Sequence, residues 1–377
     1  MMRVGVGIIG YGFIGKAHTF GYRSIPFHYD PPPLEARLVG VATSRPETAE
    51  AARTHGGFEM ATADWRKLVE RRDIQIINIC TPTAEHAVQL IAAMAAGKHI
   101  YCEKPLLAAA SERDAVRKAI AGWSGIGQVT FQNRFFSATL RAKQLINEGF
   151  LGEPVSFRGV YLHGGSVDPA APMRWRFRKS AGGGVLRDLG SHLLDLVDWL
   201  AGPITAIQAS SRILYPVRPD GRGGTERVEA EDQMVMTARI ANGAIGTLEA
   251  SKIATGAEDD FRVEIHGTRG AIRFDLMQPD FLEAYSLSDP DAPIGGTRGW
   301  KKIATVQRFP SPAVFPSPRL SSGWLRGHTH CLYSFLRSVA EGAPAEPSLA
   351  RGCAVEDLIA CAERSSATGT WQAVERE

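Results

Sequence analysis

Residues 4–15 have the sequence Val-Gly-Val-Gly-Ile-Ile-Gly-Tyr-Gly-Phe-Ile-Gly, in which an apolar run leads directly into a G-x-G-x-x-G pattern. The β-branched residues of Val4–Ile9 predict a buried strand. The residues from Gly15 to about Ser24 predict a helix that begins at the last glycine of the pattern. The chain therefore begins with a strand, a glycine loop and a helix, which is the setting that gives this otherwise weak pattern its meaning.

The glycine loop has the properties of a dinucleotide-binding site. Gly10 permits a tight turn, and Gly12 lets backbone N–H groups approach a pyrophosphate. Gly15 lets the helix pack closely on the strand, and the positive end of the helix dipole favours an anion. Phe13 and Ile14 lie within the loop and contribute its backbone N–H groups. A glycine-rich loop without a ligand is the alternative, and the strand–loop–helix order favours dinucleotide binding.

The rest of the first third alternates short apolar strands with helical patterns. Strands are predicted over 37–42, 74–80, 99–102 and 128–131, and helices over 46–55, 64–71, 84–96 and 111–122. Alternation of this kind requires parallel strands with helices on both faces of the sheet. We therefore predict an α/β domain over residues 1–130, with the doubly wound parallel sheet of a Rossmann fold.

Beyond about residue 150 the pattern changes to strands linked by turns. Strands are predicted over 155–163, 204–214, 232–240, 244–253, 261–266 and 271–275, and helices over 325–340 and 350–367. Asn242-Gly243 and Thr268-Arg269-Gly270 have the composition of hairpin turns. Residues 131–377 are therefore predicted to form an α+β domain that binds substrate and carries a large, mainly antiparallel, open sheet.

Composition excludes several classes of protein. The 377 residues allow about two domains, and 44% hydrophobic with 22% charged residues is typical of a folded water-soluble protein. A net charge of +3 is too small for the basic field that nucleic acid or an anionic membrane requires. The five scattered cysteines and the lack of a signal peptide predict a reduced, cytoplasmic protein that is neither secreted nor membrane-spanning.

The end of the second predicted strand bears on the choice of cofactor. An NAD site normally offers an acid there to the ribose hydroxyls, but this chain has Ser44-Arg45. A guanidinium pairs with a 2′-phosphate through two parallel hydrogen bonds, so NADP(H) is favoured over NAD(H). Arginine can also stack on adenine without a phosphate, which leaves NAD(H) as the alternative.

A polar stripe is predicted on the helix that follows Gly182-Gly183-Gly184. Asp188, His192 and Asp195 are spaced i, i+4, i+7 and so share one helix face. Three interpretations remain open: a solvated stripe, a metal site, and general acid–base chemistry. Histidine and aspartate four residues apart can chelate, but the other histidines, His328 and His330, are far along the chain. We predict no metal, because histidine beside a carboxylate suits proton transfer.

Lys104 follows the predicted strand 99–102, at the sheet edge where ligands bind in open α/β folds. A lysine in a surface turn is the alternative. With His192 and a nicotinamide, it would complete the requirements of alcohol oxidation: a base for the hydroxyl proton and a cation to stabilise the developing alkoxide.

Four motifs resemble the glucose-fructose oxidoreductase, inositol dehydrogenase and rhizopine catabolism (Gfo/Idh/MocA) family. Their order and spacing match over the whole chain. They are Lys16-Ala17-His18 after the glycine loop, Thr81-Pro82-Thr83-x-x-His86, Gly97-Lys98-His99-Ile-Tyr-Cys-Glu103-Lys104-Pro105, and Gly183-x-x-x-x-Asp188-x-Gly190-x-His192. The resemblance implies an enzyme that oxidises or reduces sugars, inositols and related polyols at a secondary alcohol or ketone. It also implies homodimers or homotetramers formed through the C-terminal sheet.

The resemblance implies roles for individual residues. Lys104, Asp188 and His192 match the catalytic lysine, aspartate and histidine, although it leaves open whether Lys104 or His192 transfers the proton. The residues that match cofactor neighbours are Thr81, Pro82, His86, Glu103 and Lys104.

The substrate contacts are less specific in the sequence. The stretch around Trp175-Arg176 resembles levoglucosan dehydrogenase-like members of the family, which implies a pyranose or anhydrosugar substrate. Trp175 could stack on a sugar ring and Arg176 could bond its hydroxyls, and His163 follows a strand and could face the same cleft. The alternative function is a non-catalytic NAD(P)-binding sensor with the same fold, because fold alone does not guarantee activity.

Overall fold

The computed structural model describes residues 1–375, which cluster into two compact units. The first unit comprises residues 1–135, 309–317 and 323–354, and the second comprises 136–308, 318–322 and the chain from 355 onward. The predicted division at residue 130 lies close to the end of the first continuous segment. Residues 323–354, which the sequence analysis assigned to the second domain, cluster with the first unit.

Every predicted helix and strand is present, and within residues 1–375 the structure adds one helix and six strands that the sequence analysis did not predict. The helices are α1 (Phe13–His28), α2 (Pro46–Gly56), α3 (Arg66–Val69), α4 (His86–Ala95), α5 (Arg113–Ala121), α6 (Ser137–Asn147), α7 (Ser191–Leu200), α8 (Trp324–Glu341) and α9 (Leu349–Thr368). The strands are β1 (Arg3–Ile9), β2 (Glu35–Ala42), β3 (Met60–Thr62), β4 (Ile76–Ile79), β5 (His99–Cys102), β6 (Gly127–Val129), β7 (Pro154–Leu162), β8 (Ile204–Arg212), β9 (Val217–Pro219), β10 (Thr225–Arg227), β11 (Gln233–Ile240), β12 (Ile245–Ser251), β13 (Asp260–Gly267), β14 (Gly270–Asp275), β15 (Phe281–Ser286), β16 (Lys301–Ala304) and β17 (Gln372–Ala373).

The first unit contains the predicted parallel sheet. Across residues 1–375 its strands number six, in the order β3-β2-β1-β4-β5-β6, and all pair in parallel. Every residue of β4 is buried, because helices cover both faces of a doubly wound sheet. The strand order reverses between β1 and β4, which places a crevice for ligands at the carboxyl ends of these two strands. The Rossmann prediction is confirmed.

Helix α8 completes the first unit although it comes late in the chain. The rings of Tyr29 at the end of α1 and Tyr333 of α8 stack with their centroids 3.7 Å apart. Gln128 in β6 donates from Nε2 to the carbonyl oxygen of Cys331 at 2.9 Å. These contacts explain why residues 323–354 belong to this unit. The helix predicted over 325–340 matches α8 in extent, but its amphipathic pattern did not indicate which elements it packs against.

The second unit contains the large sheet. Its nine strands, counted over the described part of the chain, run in the order β16-β15-β14-β13-β7-β12-β11-β8-β17. The neighbours pair in antiparallel fashion except β7 and β12, which are parallel, so the sheet is mixed. The prediction of a mainly antiparallel sheet is confirmed. Hairpins join β11 to β12 around Gly243 and β13 to β14 across residues 268–269, as predicted.

Two further features concern the apolar character of the helices and the state of the cysteines. Among residues 1–375 we find no helix that combines the length and the apolar character needed to cross a membrane. All five cysteines are buried and have free thiols.

A π-helical turn over Leu186–Gly190 precedes α7 and carries a buried ion pair. Arg187 is 3% exposed in its side chain and donates from Nη1 to Oε2 of Glu356 at 2.8 Å. Its Nη2 lies 3.3 Å from Glu363. The carboxylate of Glu356 is 1% exposed, and the guanidinium of Arg187 offsets the cost of burying its charge.

Replacing Arg187 by alanine is therefore expected to lower the free energy of unfolding by about 3–5 kcal/mol, because Glu356 would be left charged and buried. Urea unfolding followed by circular dichroism measures the change. Arg141→Ala is the control, because Arg141 pairs with Glu148 at 3.2 Å on the surface and is expected to cost less than about 1 kcal/mol. Equal losses in the two variants would contradict the assignment.

Candidate active site

The glycine loop joins β1, β2 and α1 through backbone contacts. Gly10 has a φ of +92°, and a Cβ there would lie 2.6 Å from the carbonyl oxygen of Cys80. A Cβ on Gly15 would lie 2.3 Å from the carbonyl oxygen of Gly10. The N–H of Gly10 donates to Ala42 at the end of β2, at 2.8 Å. Two of the three glycines are thus required by close backbone packing.

Gly12 is not required by packing. It is the residue before α1, its φ is −76°, and a Cβ built on it meets no atom within 4 Å. The fold itself would tolerate a side chain there, so the open space lies outside the packed structure and in front of the helix N-terminus. Phe13 and Ile14 form the first turn, whose N–H groups have no acceptor within a helix. This cradle fits the pyrophosphate of a dinucleotide.

Ser44 and Arg45 lie at the end of β2 and before α2. Both are exposed, and Arg45 is the residue that precedes the first turn of α2. Thr43 donates from its hydroxyl to the carbonyl oxygen of Arg45 at 3.0 Å. Its hydroxyl also lies 2.6 Å from that of Thr48, so the turn that presents the arginine is held by local hydrogen bonds.

His86 ties the segment after β4 to the segment after β5. Its Nε2 lies 3.0 Å from the carbonyl oxygen of Thr81, and its Nδ1 lies 3.0 Å from that of Pro105. Burial lowers the pKa of His86, which favours the neutral ring. The hydroxyl of Thr81 bonds Gln89 of α4 at 2.8 Å, and Pro82 beside it is exposed. The Thr81-Pro82 segment is therefore fixed at the carboxyl end of the sheet.

Glu103 connects α1 to the segment that carries Lys104. Its Oε1 lies 3.0 Å from Nε2 of the buried His18, and its Oε2 accepts the backbone N–H of Lys104 at 3.2 Å. Burial opposes ionisation of Glu103, but the hydrogen bond and charge of His18 lower its pKa below the ordinary value. Burial also disfavours a charged His18, but contacts with Cys80 and Glu103 raise its pKa.

Asp188 lies in the π-helical turn of the second unit and receives two cations on one oxygen. Lys252 Nζ lies 2.5 Å from its Oδ2, and Arg176 Nε lies 3.2 Å from the same atom. The guanidinium of Arg176 also stacks on the ring of Trp175, 4.6 Å from its centroid. Trp175 and Arg176 belong to a short 3₁₀ turn, Trp175–Phe177.

His192 lies in α7 and is 3% exposed. Its ring centroid is 5.9 Å from that of Tyr161 in β7. Tyr161 donates to Oδ1 of Asp259 at 2.9 Å, and Nε2 of His163 lies 3.0 Å from the same oxygen. Burial and the Asp259 carboxylate raise the pKa of Tyr161 well above its ordinary value, so its hydroxyl keeps the proton that it donates.

The structure excludes one of the three interpretations of the Asp188–His192–Asp195 stripe. His192 and Asp195 are buried, so the stripe is not a solvated face. The wider π-helical turn replaces regular α-helix at Asp188, which sequence periodicity did not show. Such turns occur frequently at functional sites. Asp188 and His192 belong to the second unit and Lys104 to the first.

The residues with metal-ligating side chains group differently from the hypothesis that the sequence raised. Within the described residues, the group whose ligand atoms all lie within 4.8 Å of one another is His18, Glu103 and His328. His192 is not part of it. Nε2 of His18 and Oε1 of Glu103 lie 3.0 Å apart within this group.

Sequence reasoning did not identify Lys252, Asp259 and Tyr161 as site residues. Lys252 directly follows β12, and Tyr161 lies one residue before the end of β7. The parallel pairing of β7 with β12 brings the ends of these strands together, with Leu162 opposite Ser251. Antiparallel hairpins, which the sequence predicted, do not imply that neighbourhood.

Comparison with known proteins shows which family the chain is similar to. The model of an oxidoreductase family with an NAD-binding Rossmann fold matches residues 4–130, and the GFO/IDH/MocA C-terminal domain matches residues 139–273. The chain is 36% identical to levoglucosan dehydrogenase of Pseudarthrobacter phenanthrenivorans, over 98% of both chains. It is 28% identical to inositol 2-dehydrogenase of Rhizobium meliloti, over 97% of this chain and 98% of the relative.

A solved structure of levoglucosan dehydrogenase in complex with NADH and levoglucosan superimposes on the chain with a TM-score of 0.95. The two are 35% identical, and the match covers 100% of each chain.

The cradle at Gly12 can be tested without disturbing the fold. Gly12→Ala is expected to change the free energy of unfolding by less than about 1 kcal/mol, because the Cβ has space and φ is negative. We expect the Kd for the dinucleotide to rise about tenfold or more, because the methyl group blocks the approach of the pyrophosphate. Tryptophan fluorescence titration and thermal unfolding measure the two effects.

Gly299→Ala serves as the control for an open glycine elsewhere in the chain. Gly15→Ala should instead lower stability, because its Cβ meets backbone. Unchanged dinucleotide affinity in Gly12→Ala would show that the pyrophosphate binds elsewhere.

Proposed function

Because the chain belongs to the Gfo/Idh/MocA family of oxidoreductases, we propose that it transfers a hydride between NADP(H) and a secondary alcohol or ketone of a sugar, anhydrosugar or inositol. The observation that carries this proposal is the complete set of Lys104, Asp188 and His192 at positions that match the family motifs. A non-catalytic sensor has no need of that set, and the relatives named above are dehydrogenases.

Oxidation of a secondary alcohol removes a hydride from carbon and a proton from oxygen. A bound dinucleotide supplies the hydride acceptor. The chain must then accept the proton and stabilise the oxygen. We assign the proton to His192, because histidine is the side chain type best suited to exchange a proton near neutral pH. Lys104 orients and polarises the oxygen, and Asp188 accepts hydrogen bonds and positions the groups around it.

The anhydrosugar or pyranose class is supported by the groups around Asp188. Trp175 offers a flat apolar surface to a sugar ring, and Arg176, which is half exposed, offers donors for hydroxyl groups. His163 and Asp259 are each one-third exposed in their side chains and offer further polar atoms. Levoglucosan dehydrogenase, the relative with 36% identity, acts on an anhydrosugar by its name.

The substrate class is tested by assaying the purified chain against sugars, anhydrosugars and inositols with NADP⁺ and NAD⁺, following absorbance of the reduced cofactor at saturating substrate. We expect turnover with at least one pyranose or anhydrosugar. A chain that binds the dinucleotide tightly and oxidises nothing in the panel would support the sensor instead.

Lys104→Met and His192→Asn are each expected to lower kcat by about 10²- to 10⁴-fold. His192→Asn is expected to leave dinucleotide affinity within about threefold. Steady-state kinetics and fluorescence titration separate the two effects. Lys118→Met and His266→Asn are matched controls on α5 and β13 and should keep wild-type turnover. Full activity in both Lys104→Met and His192→Asn would refute the mechanism.

The preference for NADP(H) is supported by the end of β2. No acid is present in Thr43-Ser44-Arg45 to bond the ribose hydroxyls of NAD. Arg45 is exposed and precedes the N-terminus of α2, where the helix dipole also favours an anion. The solved levoglucosan dehydrogenase complex contains NADH.

Arg45→Ala is expected to raise the Kd for NADPH about tenfold or more, through loss of a charge-assisted hydrogen bond, and to change the Kd for NADH less than twofold. Fluorescence titrations with both cofactors provide the comparison. Arg53→Ala is the control, because Arg53 lies on the neighbouring helix α2 and its side chain pairs with Glu50. Tighter binding of NADH than NADPH by the unchanged chain would refute this assignment.

We also propose that copies of the chain associate through the C-terminal sheet as a homodimer or homotetramer in the cytoplasm. Val155, Val235 and Ile245 are about half exposed on its strands, which supports an association surface. The buried free thiols are in keeping with a reducing compartment.

A further inference from the structure

Lys252 occupies a rigid position at the end of the large sheet. Its N–H donates to the carbonyl oxygen of Asp232 at 2.8 Å, and its carbonyl oxygen accepts from Ser166 at 2.9 Å. The next residues stay paired with the end of β7, because Ala254 N–H donates to His163 at 3.0 Å. The backbone that carries the lysine is therefore held on both sides.

The side chain of Lys252 is withdrawn from solvent. It is 13% exposed, whereas Arg176, the other cation on Asp188, is 49% exposed. Lysine is seldom buried to this extent without a charged partner. Its ammonium lies 2.5 Å from Oδ2 of Asp188, which is closer than the 3.2 Å of Arg176. Lys252 is thus the fixed donor of the pair, and Arg176 is the donor that faces solvent.

We infer that Lys252 is a positioning residue for the proposed reaction: its ammonium fixes the orientation of the Asp188 carboxylate and keeps it ionised, and Arg176 thereby remains available to the substrate. The inference rests on the proposed function, and neither the family motifs nor the names of the relatives assign this lysine. An ionised carboxylate is only an acceptor of hydrogen bonds. Asp188 therefore orients its neighbours, and the proton of the substrate goes to another group.

The location of the pair argues for a role beyond stability. Asp188 lies in the π-helical turn that leads into α7, and His192 follows four residues later. The ends of β7 and β12 lie side by side and carry His163 and Lys252, and Tyr161 of β7 packs near the ring of His192. Lys252 thus anchors the turn to the strand end around which the other candidate residues of this unit are arranged.

The test compares Lys252→Met, which keeps the length and removes the charge, with Lys252→Arg, which keeps the charge. In Lys252→Met, kcat is expected to fall on the order of 10- to 100-fold, because a misplaced catalytic group commonly costs that much. The Kd for NADPH should stay within twofold. Lys252→Arg should recover most of kcat, and ethylammonium should restore turnover to Lys252→Ala in a concentration-dependent way.

Lys301→Met is the matched control, because Lys301 forms a 2.7 Å ion pair with Asp289 beside β16, several strands away in the same sheet. It should lose no turnover. The inference is overturned if Lys252→Met keeps kcat within twofold of wild type. It is also overturned if Lys252→Arg and ethylammonium both fail to restore turnover while thermal unfolding shows a large loss of stability, since the lysine would then be structural.

The activity of the unchanged chain separates this inference from the proposed function. A wild-type chain without turnover on any substrate in the panel refutes the proposed function and this role together. A wild-type chain with turnover, beside an equally active Lys252→Met, refutes only the role of Lys252.

Discussion

The turn between β1 and α1 has room for backbone alone, and much of the first unit depends on that constraint. Gly10 lies against the backbone at the end of β4, and Gly15 lies against Gly10. Two strands and a helix consequently meet at one point without intervening side chains. The direction of α1 is fixed there, and His18, nearly one turn beyond Gly15, reaches Glu103 after β5. The loop that fits a pyrophosphate and the backbone of Lys104 therefore belong to one connected framework.

The second unit is organised around neighbouring charges of opposite sign. Arg187 and Asp188 are adjacent in the π-helical turn but pair with different elements, Arg187 with carboxylates of α9 and Asp188 with the lysine after β12. The first pair is almost completely buried and fixes the turn within the unit. The second retains some exposure and combines with Arg176 and Trp175 into a surface suited to a polar ring. One helical turn thus carries both a buried ion pair and the carboxylate of the proposed site.

The sequence predicted the parts of the fold that depend on residues close together in the chain. Alternation of apolar runs and helices gave the Rossmann sheet, and the glycine pattern gave the loop, because both depend on residues close in sequence. The parallel pair β7–β12 joins segments about ninety residues apart. The composition of these two strands does not distinguish parallel from antiparallel pairing. The sequence around Lys252 consequently did not indicate that this residue lies beside Asp188 and the end of β7. The π-helical turn at Asp188 was also missed, because heptad-like spacing does not distinguish it from regular α-helix.

The short or irregular elements were missed for another reason. Strands β3 and β16 have three and four residues, too few for alternation to be visible. Segment 137–147 forms α6 although Ser137, Ala138 and Thr139 are all buried at its start, so it lacks a clear amphipathic beginning. The packing of α8 on α1 is set by the tertiary structure and not by either helix alone.

The late position of α8 has a consequence for synthesis on the ribosome. The first unit takes α8 from residues 324–341, after every strand of the large sheet except β17 has been made. Translation at roughly 5–20 residues per second means that the parallel sheet waits on the order of ten to forty seconds for the helix that covers Tyr29 and Gln128. During that interval the newly made sheet exposes apolar surface. A chaperone that binds such surfaces would meet this chain while its N-terminal third is still incomplete.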